Sequence, residues 1–306
     1  TDNRHHGCAD FRPAGALQEV SGRSGCRTKE EQDQGVTGMR KYLVFAAVII
    51  CLSCESEGRE PAGPPFPEPQ TPELLASGFR FTEGPAWCED GYLLFSDIYG
   101  NKIYKWNEND GVTTFVSPSE NSNGIFYDGE KFWVCRHAAR DIAILDKDGK
   151  ITSLVNSYNG YKLNSPNDIA VSRQGTAYFT DSDYGVKPED RELDFEGLFY
   201  VSDAGSSAIL VDDSMLKPNG VALSPDQTKL YVCESSSNNI YVFDLSSDGI
   251  PENKRILYHL SGDGEVDGIA CHQSGYLYIA FSAGGVVILS SEGEQVGQIA
   301  FQENDR

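Results

Sequence analysis

The feature that most constrains this chain is a short motif that recurs five times, at intervals of 40, 44, 52 and 48 residues. Each copy begins with Glu, Asn or Asp and is interpreted as the opening of a short turn. The first residues of the copies are Glu83, Asn123, Asn167, Asn219 and Asp267. A second turn and an apolar segment follow in each repeat. Repeats of this length with strands inside them predict a β-propeller, in which each repeat forms one blade.

The segments between the motifs have the composition of β-strands. In the first repeat, residues 92–96, 102–106 and 113–116 are rich in aromatic and β-branched residues, and a hairpin signal at residues 109–111 separates the last two. Similar segments recur in the later repeats, and no long segment has a helical period. The sequence therefore predicts an all-β domain.

Equivalent positions in the blades of a propeller lie on a ring around its central axis. The five residues that begin the motifs should therefore converge in the central channel. Oxygen ligands that converge from separate blades suit a hard divalent cation such as Ca²⁺, Mg²⁺ or Mn²⁺. Asp and Asn before Gly are also ordinary turn residues, so a turn is the alternative at each position.

The third repeat has the longest connection between predicted strands. It runs from Asp181 through Tyr184 and Gly185 into the charged residues 187–192. Long loops on compact scaffolds are often functional. This loop is either part of a lid over the channel mouth or an ordinary surface excursion.

The N-terminal part of the chain divides into segments that do not belong to the propeller. Met39 is followed by a basic pair, an apolar run at residues 42–52 and a Ser-Cys pair that ends at Cys54. This pattern is typical of a secretory signal peptide and is too short for a membrane span. The junction resembles a bacterial lipoprotein processing site with Cys54 as the lipidated residue, although Cys51 stands where such sites usually have Leu.

We therefore divide the chain into four segments. Residues 1–38 are expected to be translated upstream sequence, residues 39–54 the signal peptide, residues 55–72 a disordered Pro- and Glu-rich tether, and residues 73–306 the propeller. The expected location is the periplasm of a bacterium, either in solution or anchored to the membrane through lipid on Cys54.

The spacing of the repeats favours a six-bladed propeller, although only five motifs are visible and a closed five-bladed propeller is the alternative. The fifth repeat ends close to Arg306, so the chain is interpreted as C-terminally truncated with an incomplete last blade. Residues 74–81 are expected to supply an outer strand of the closing blade. A blade without its partner strands would leave an open edge.

Charge and cysteine content exclude some classes of function. The net charge is −21 and no basic patch stands out, so nucleic-acid binding is not expected. Four cysteines fall in the predicted propeller, Cys88, Cys135, Cys233 and Cys271, and we expect them to be small buried apolar groups. A disulfide is the alternative in an oxidising compartment. No CxxC pair occurs among them, so a structural zinc ion is not expected.

Several motifs together resemble the senescence-marker-protein/gluconolactonase family of six-bladed propellers, which includes luciferin-regenerating-enzyme-like proteins. The resemblance extends over residues 79–299. It is carried by the sequences FTEGPAW at residues 81–87, LNSPND at 163–168 with YFTD at 178–181, KPNG at 217–220 and VDG at 266–268. The second of these resembles the bacterial gluconolactonase branch.

The resemblance implies one divalent metal ion ligated by Glu83, Asn219 and Asp267. Ca²⁺ is favoured over Mg²⁺, Mn²⁺ and Zn²⁺. Asn167 matches a residue that borders the metal and touches the substrate. Animal members of the family carry Arg where this chain has Ser165, so their preferences among sugar acids are not carried over.

The implied activity is hydrolysis of a sugar lactone, a small-molecule substrate. The cation would polarise the carbonyl group, Asp267 would act as general base, and Asn167 would orient substrate or water. The alternatives are a propeller that carries out a different ester or condensation reaction and a non-catalytic sugar-binding scaffold.

Other polar residues are assigned more conservatively. Asn123 matches the family poorly and is interpreted as a turn residue, and Asp168 is interpreted as a structural residue that binds loop backbone. Asp181 is either structural or part of the site. His137 and Arg140 either bind substrate or belong to a surface loop, and both are left out of the catalytic set. The remaining candidates, His259 and His272, are expected to be structural.

Overall fold

The computed structural model of the chain describes residues 72–201, 207–283 and 285–300. The leader predicted at residues 1–54 and all but the last residue of the predicted tether lie outside the described residues. No helix in the described ranges is long and apolar enough to cross a membrane.

The described residues form five four-stranded antiparallel sheets, and each sheet is one blade. Blade 1 contains β1 (Thr82–Cys88), β2 (Tyr92–Asp97), β3 (Lys102–Asn107) and β4 (Gly111–Val116). Blade 2 contains β5 (Ser122–Tyr127), β6 (Phe132–Arg136), β7 (Asp141–Leu145) and β8 (Ile151–Val155). A short hairpin of β9 (Ser157–Tyr158) and β10 (Tyr161–Lys162) follows.

The remaining blades continue the same order. Blade 3 contains β11 (Ser165–Val171), β12 (Ala177–Ser182), β13 (Gly197–Val201) and β14 (Ile209–Asp212), with a 3-10 helix (Pro188–Asp190) between β12 and β13. Blade 4 contains β15 (Pro218–Leu223), β16 (Lys229–Glu234), β17 (Asn239–Leu245) and β18 (Pro251–His259). Blade 5 contains β19 (Val266–Cys271), β20 (Leu277–Phe281), β21 (Gly285–Leu289) and β22 (Gln295–Ala300).

The structure confirms the all-β prediction and corrects one part of it. The five motifs do not open turns, because each lies within the innermost strand of its blade. The strands predicted from composition are therefore the second, third and fourth strands. The innermost strands were missed because polar residues and glycine interrupt their apolar pattern.

The innermost strands lie side by side in sequence order, as in a propeller. β1 contacts β5, β5 contacts β11, β11 contacts β15, and β15 contacts β19. The described residues thus form five blades, and the predicted sixth blade is not among them. Residues 74–81 form no strand; Phe79 from this segment packs its ring against Phe95 and Tyr104 of blade 1, with ring centroids 5.1 Å from each.

Neighbouring blades pack through the two faces of each sheet. In β6, Phe132 and Val134 join the core shared with blade 1, whereas Trp133 and Cys135 join the core shared with blade 3. Side chains alternate between the faces of a strand, so a strand that is covered on both faces is apolar throughout. Each fully buried side chain of this kind contributes about 1.5–3 kcal/mol.

The cysteines of the predicted propeller are unpaired, as expected. Cys88, Cys135 and Cys233 are buried, and Cys271 is partly buried. They fill space in the cores between blades.

The glycines of the motifs bring neighbouring innermost strands into backbone contact. A Cβ atom on Gly84 would lie 2.2 Å from the carbonyl oxygen of Asn123, and one on Gly220 would lie 2.5 Å from the amide nitrogen of Ile269. Interiors packed to this density do not accommodate an added methyl group without a backbone shift. Glycine at this position therefore sets how closely the blades approach the central axis.

We expect Gly124→Ala to lower the free energy of unfolding by about 2 kcal/mol, because overpacking forces backbone shifts. The new methyl group would lie 2.7 Å from the carbonyl oxygen of Asn167 and 2.7 Å from the Cα atom of Asp168. The measurement is urea denaturation of the wild type and the variant in the presence of a chelator.

The matched control is Gly268→Ala, which changes the same motif position in blade 5. In the part of the chain that the structure describes, no heavy atom lies within 4 Å of a Cβ atom added there. This variant should change the free energy of unfolding by about 0.5 kcal/mol or less. If both variants lost the same free energy of unfolding, close contact between blades would not be the reason that this position requires glycine.

Candidate functional site

The residue that begins each motif stands at a break in the pairing between the innermost strand and the second strand of its blade. The breaks fall between Glu83 and Ala86, Ser122 and Ile125, Pro166 and Ile169, Pro218 and Val221, and Val266 and Ile269. Such irregularities bend a strand and redirect its side chains, and they are common beside active sites. Their recurrence gives the five motif residues equivalent positions in the five blades.

These five residues line one cavity of about 410 Å³. We call them the channel ring: Glu83, Asn123, Asn167, Asn219 and Asp267. The structure thus brings together all four residues that the sequence analysis assigned to the metal and the substrate. It also places Asn123 among them.

The carboxyl groups of the channel ring interact strongly with one another. Burial raises the pKa of Glu83 well above its ordinary value, and the negative charges of Asp267 and Asp168 raise it further. The N–H group of Gly84, 3.3 Å from Glu83 Oε2, opposes this shift. A cation bound near these carboxyl groups would favour their ionised forms.

The donor set of the channel ring consists of carboxylate and amide oxygens. No group of three or more His, Cys, Asp or Glu side chains is placed to hold a metal ion in the described part of the chain. Two carboxylates with amide oxygens fit a hard cation, which takes oxygen ligands and retains water. The residues present are therefore chemically suited to the divalent ion that the sequence predicts.

Asn219 is held in a fixed orientation. It is buried, and its Nδ2 donates to Ser235 Oγ at 3.1 Å, while Ser235 Oγ donates to the carbonyl oxygen of Val266 at 2.6 Å. Because Nδ2 is bound to Ser235, Oδ1 is the amide atom that remains for a ligand. Sequence reasoning missed Ser235, which lies directly after β16 and outside the motifs.

Asn167 and Asp168 have different roles despite being adjacent. Asn167 is buried at the cavity wall, and its side chain makes no hydrogen bond to protein among the described residues. Asp168 Oδ2 instead accepts a hydrogen bond from the N–H group of Val221 in blade 4, at 2.9 Å. Asp168 therefore binds backbone, as expected, but the backbone belongs to strand β15 and not to a loop. Burial raises the pKa of Asp168 to about 7, and the Val221 N–H group lowers it.

Asn123 and His137 form a buried pair. Asn123 lies within β5 and is not a turn residue, which corrects its assignment. Of the two alternatives left open for His137, an exposed position on a surface loop is excluded because its side chain is buried. Asn123 Nδ2 lies 3.1 Å from His137 Nε2. Burial lowers the pKa of His137 to about 4, so the ring is neutral and Nε2 can accept this hydrogen bond.

Three further candidates have structural partners. Arg140 donates to the carbonyl oxygens of Leu163, at 2.6 Å, and Asp190, at 2.9 Å, and so holds the loop between β12 and β13. His259 Nδ1 lies 3.1 Å from Asn239 Oδ1, and His272 Nδ1 lies 2.5 Å from Ser274 Oγ.

Asp181 lies at the end of β12, where it supports the start of β11 and its motif. It is fully buried, and its Oδ2 accepts a hydrogen bond from the N–H group of Asn164 at 2.7 Å. Asp181 Oδ1 and Asn164 Oδ1 are both buried, and neither has a hydrogen-bond partner among the described residues. A proton on Asp181 would supply a donor in a place where two acceptors lack one.

Comparison with known proteins gives a consistent set of relatives. Residues 81–305 match the family model described as SMP-30/Gluconolactonase/LRE-like region. A gluconolactonase from Zymomonas mobilis is 36% identical over 258 residues, which covers 74% of this chain and 72% of the relative. A lactonase from Staphylococcus saprophyticus is 28% identical over 249 residues, covering 76% and 74% of the two chains.

The fold of this chain also matches solved structures. A gluconolactonase structure from Xanthomonas campestris superposes with a TM-score of 0.68 at 32% sequence identity. The match covers 74% of this chain and 78% of that chain.

We expect the stability of the wild type to fall between about pH 4 and pH 7 because of Asp181. Burial raises its pKa from 3.8 to about 7 in the folded state; Glu196 raises it further, whereas the Asn164 and Ser165 N–H groups and Arg140 lower it. A group with a raised folded-state pKa binds its proton more tightly in the folded protein, so its contribution is lost as pH rises. Asp181→Asn should therefore be about 2 kcal/mol more stable than wild type at pH 8 and close to wild type at pH 4.

Asp128→Asn is a control, because the pKa of Asp128 is shifted in the opposite direction from that of Asp181. The N–H groups of Lys131 and Glu130 and the indole of Trp133 lower the pKa of Asp128 below its ordinary value despite partial burial. Its contribution is present above the unfolded-state pKa and is lost in acid, so Asp128→Asn should be destabilised at pH 8. Urea denaturation with chelator at pH 4, 6 and 8 measures both effects. An Asp181→Asn protein with the pH profile of wild type would contradict the assignment.

Proposed function

Because this chain belongs to the SMP-30/gluconolactonase/LRE-like family, we propose that it is an enzyme that hydrolyses a sugar lactone at a divalent cation in the central channel. The observation that carries the proposal is the convergence of Glu83, Asn167, Asn219 and Asp267 on one cavity. The activities named for the Zymomonas and Xanthomonas relatives support lactone hydrolysis. Ca²⁺ is the cation we favour, because the donors are oxygen atoms on separate strands.

Three members of the channel ring would hold the cation. Glu83 and Asp267 would provide carboxylate oxygens, and Asn219 would provide Oδ1, the atom left available by its bond to Ser235. A bound divalent cation supplies a Lewis acid that polarises the lactone carbonyl and stabilises the developing negative charge.

The protein residues then bring water and substrate together. The water oxygen forms a bond to the carbonyl carbon, the ring C–O bond breaks, and the product is the open hydroxy acid. Asp267 accepts a proton from the attacking water and returns it to the departing alkoxide oxygen. Asn167, whose amide makes no hydrogen bond to protein among the described residues, binds and orients the lactone or the water.

We also propose that the protein is exported and carries lipid on Cys54. The basic pair, the apolar run and the Ser-Cys junction support this proposal. The lipid would be the membrane attachment. The lipid would have no part in lactone hydrolysis, which the propeller residues would carry out.

We expect Glu83→Gln and Asp267→Asn to lower kcat/KM for glucono-1,5-lactone by about a hundredfold or more, because each removes a carboxylate from the channel ring. Proton release measures hydrolysis, first with chelator and then with Ca²⁺, Mg²⁺, Mn²⁺ or Zn²⁺ restored. Wild-type unfolding should shift to higher temperature on adding the active cation, and both variants should lose that shift.

Glu292→Gln is the matched control for these variants. It removes an exposed carboxylate in the turn between β21 and β22 and should leave turnover and the metal-dependent shift unchanged. A thermal shift without turnover on a panel of lactones would indicate a sugar-binding propeller or a different ester reaction. Full turnover in Asp267→Asn with metal retained would contradict the role of Asp267 as general base.

We expect Cys54→Ser to move the protein from the membrane fraction to the soluble fraction of a bacterial host, because it removes the acceptor for lipid. The control is Glu57→Gln, which changes a residue of the predicted tether outside the processing site and should leave the distribution unchanged. Fractionation followed by immunoblotting measures both. Identical membrane association of wild type and Cys54→Ser would contradict the anchor.

A further inference from the structure

Tyr184 lies in the loop between β12 and β13, at the end of the channel where the channel ring is located. The pairing of β11 with β12 places this loop there, because Ser182 pairs with Ser165 and Asp181 pairs with Pro166, next to Asn167. About 45% of the Tyr184 surface is exposed. Part of this aromatic side chain is therefore accessible from solvent at this end of the channel.

The backbone on both sides of Tyr184 is firmly held. Asp183 forms ion pairs with Arg191, at 2.9 Å, and with Lys217. On the other side, the N–H group of Gly185 donates to Ser165 Oγ at 2.8 Å. A Cβ atom on Gly185 would lie 2.6 Å from His137 Cβ, so the loop packs directly on the residue that binds Asn123.

The side chain of Tyr184 is also fixed in direction. Lys217 Nζ lies 4.8 Å from the centroid of its ring, within the range of a cation–π contact. Its phenol group lies near Ser235, Asp267, Glu265 and Asn219, which act on its ionisation.

The Tyr184 side chain adds a phenol hydroxyl group to this end of the channel. Ser235 and Asn219 are within hydrogen-bonding reach of that hydroxyl group. The site therefore contains a hydroxyl group that donates and accepts hydrogen bonds, in addition to the oxygen acceptors of the channel ring.

We propose that Tyr184 is a specificity-determining residue, whose hydroxyl group hydrogen-bonds to a ring hydroxyl of a polyhydroxylated lactone. This inference rests on the proposed function and adds to it the residue that distinguishes hydroxylated lactones from lactones without hydroxyl groups. A lactone whose carbonyl reaches the channel ring would direct its hydroxyl-bearing carbons toward the mouth, where Tyr184 stands. A site built to bind a substrate hydroxyl discriminates against analogues that lack it.

The test is Tyr184→Phe, which keeps the aromatic ring and its contact with Lys217 and removes one oxygen atom. Kinetics are measured on glucono-1,5-lactone and on δ-valerolactone, which has the same ring size and no hydroxyl groups. We expect KM for glucono-1,5-lactone to rise about fivefold to tenfold with kcat changed less than about twofold, and both constants for δ-valerolactone to stay unchanged. Equal effects on both substrates, or no effect on either, would overturn the proposal.

A binding measurement separates this proposal from the proposed function. Calorimetric titration with gluconolactam, a polyhydroxylated ring that resists hydrolysis, should show a Kd about fivefold to tenfold higher for Tyr184→Phe than for wild type. If the wild type hydrolyses neither lactone, hydrolysis fails as the function, while the lactam still tests the role of Tyr184. Equal lactam affinities, or no binding by either protein, would overturn the proposal.

Tyr99→Phe is the matched control, since Tyr99 lies in the corresponding β2–β3 loop of blade 1 and also precedes a glycine. It should leave lactone kinetics and lactam affinity unchanged. The thermal shift on adding Ca²⁺ should be the same in Tyr184→Phe and wild type. A reduced shift in Tyr184→Phe would mean that Tyr184 supports Asn219 as a metal ligand, which would overturn the assignment to substrate.

Discussion

The backbone contact between innermost strands is the constraint on which the rest of the structure depends. Glycine at the second motif position lets the strands approach until a Cβ atom would overlap the next backbone, as at Gly84 and Gly220. The break in pairing at the same place redirects the preceding side chain. Close approach and redirection together bring side chains of five blades to line one cavity.

This narrowing has an electrostatic consequence. Glu83, Asp168 and Asp267 come from three blades, and repulsion from the other two carboxylates adds to burial in raising the pKa of Glu83. An arrangement that is unfavourable for carboxylates alone becomes favourable once a divalent cation is shared between them. The packing of the innermost strands therefore causes the repulsion between these carboxylates. The same packing would provide the proposed affinity for a divalent cation.

The sequence predicts the parts of this protein that repeat and misses those that depend on contacts between repeats. The motif spacing was sufficient to place Glu83, Asn219 and Asp267 around one axis. The second strands, and most of the third, could be predicted because both of their faces are buried, which makes them apolar. The fourth strands are largely exposed and were predicted from their β-branched and aromatic residues. Asn123 was misassigned because its partner His137 lies in a loop, and pairing between a motif and a loop leaves no periodic signal. Ser235 was missed for the same reason.

Blade 3 departs from the repeat at two points, and both departures act on blade 4. Asp168 stands where the other motifs have glycine, and its carboxylate binds the N–H group of Val221, two residues after Asn219. The long loop of the same blade brings Tyr184 close to Asn219. Both changes lie beside Asn219, which is a metal ligand in the proposed function. If that proposal holds, the departures of blade 3 from the repeat are where selectivity among substrates would arise.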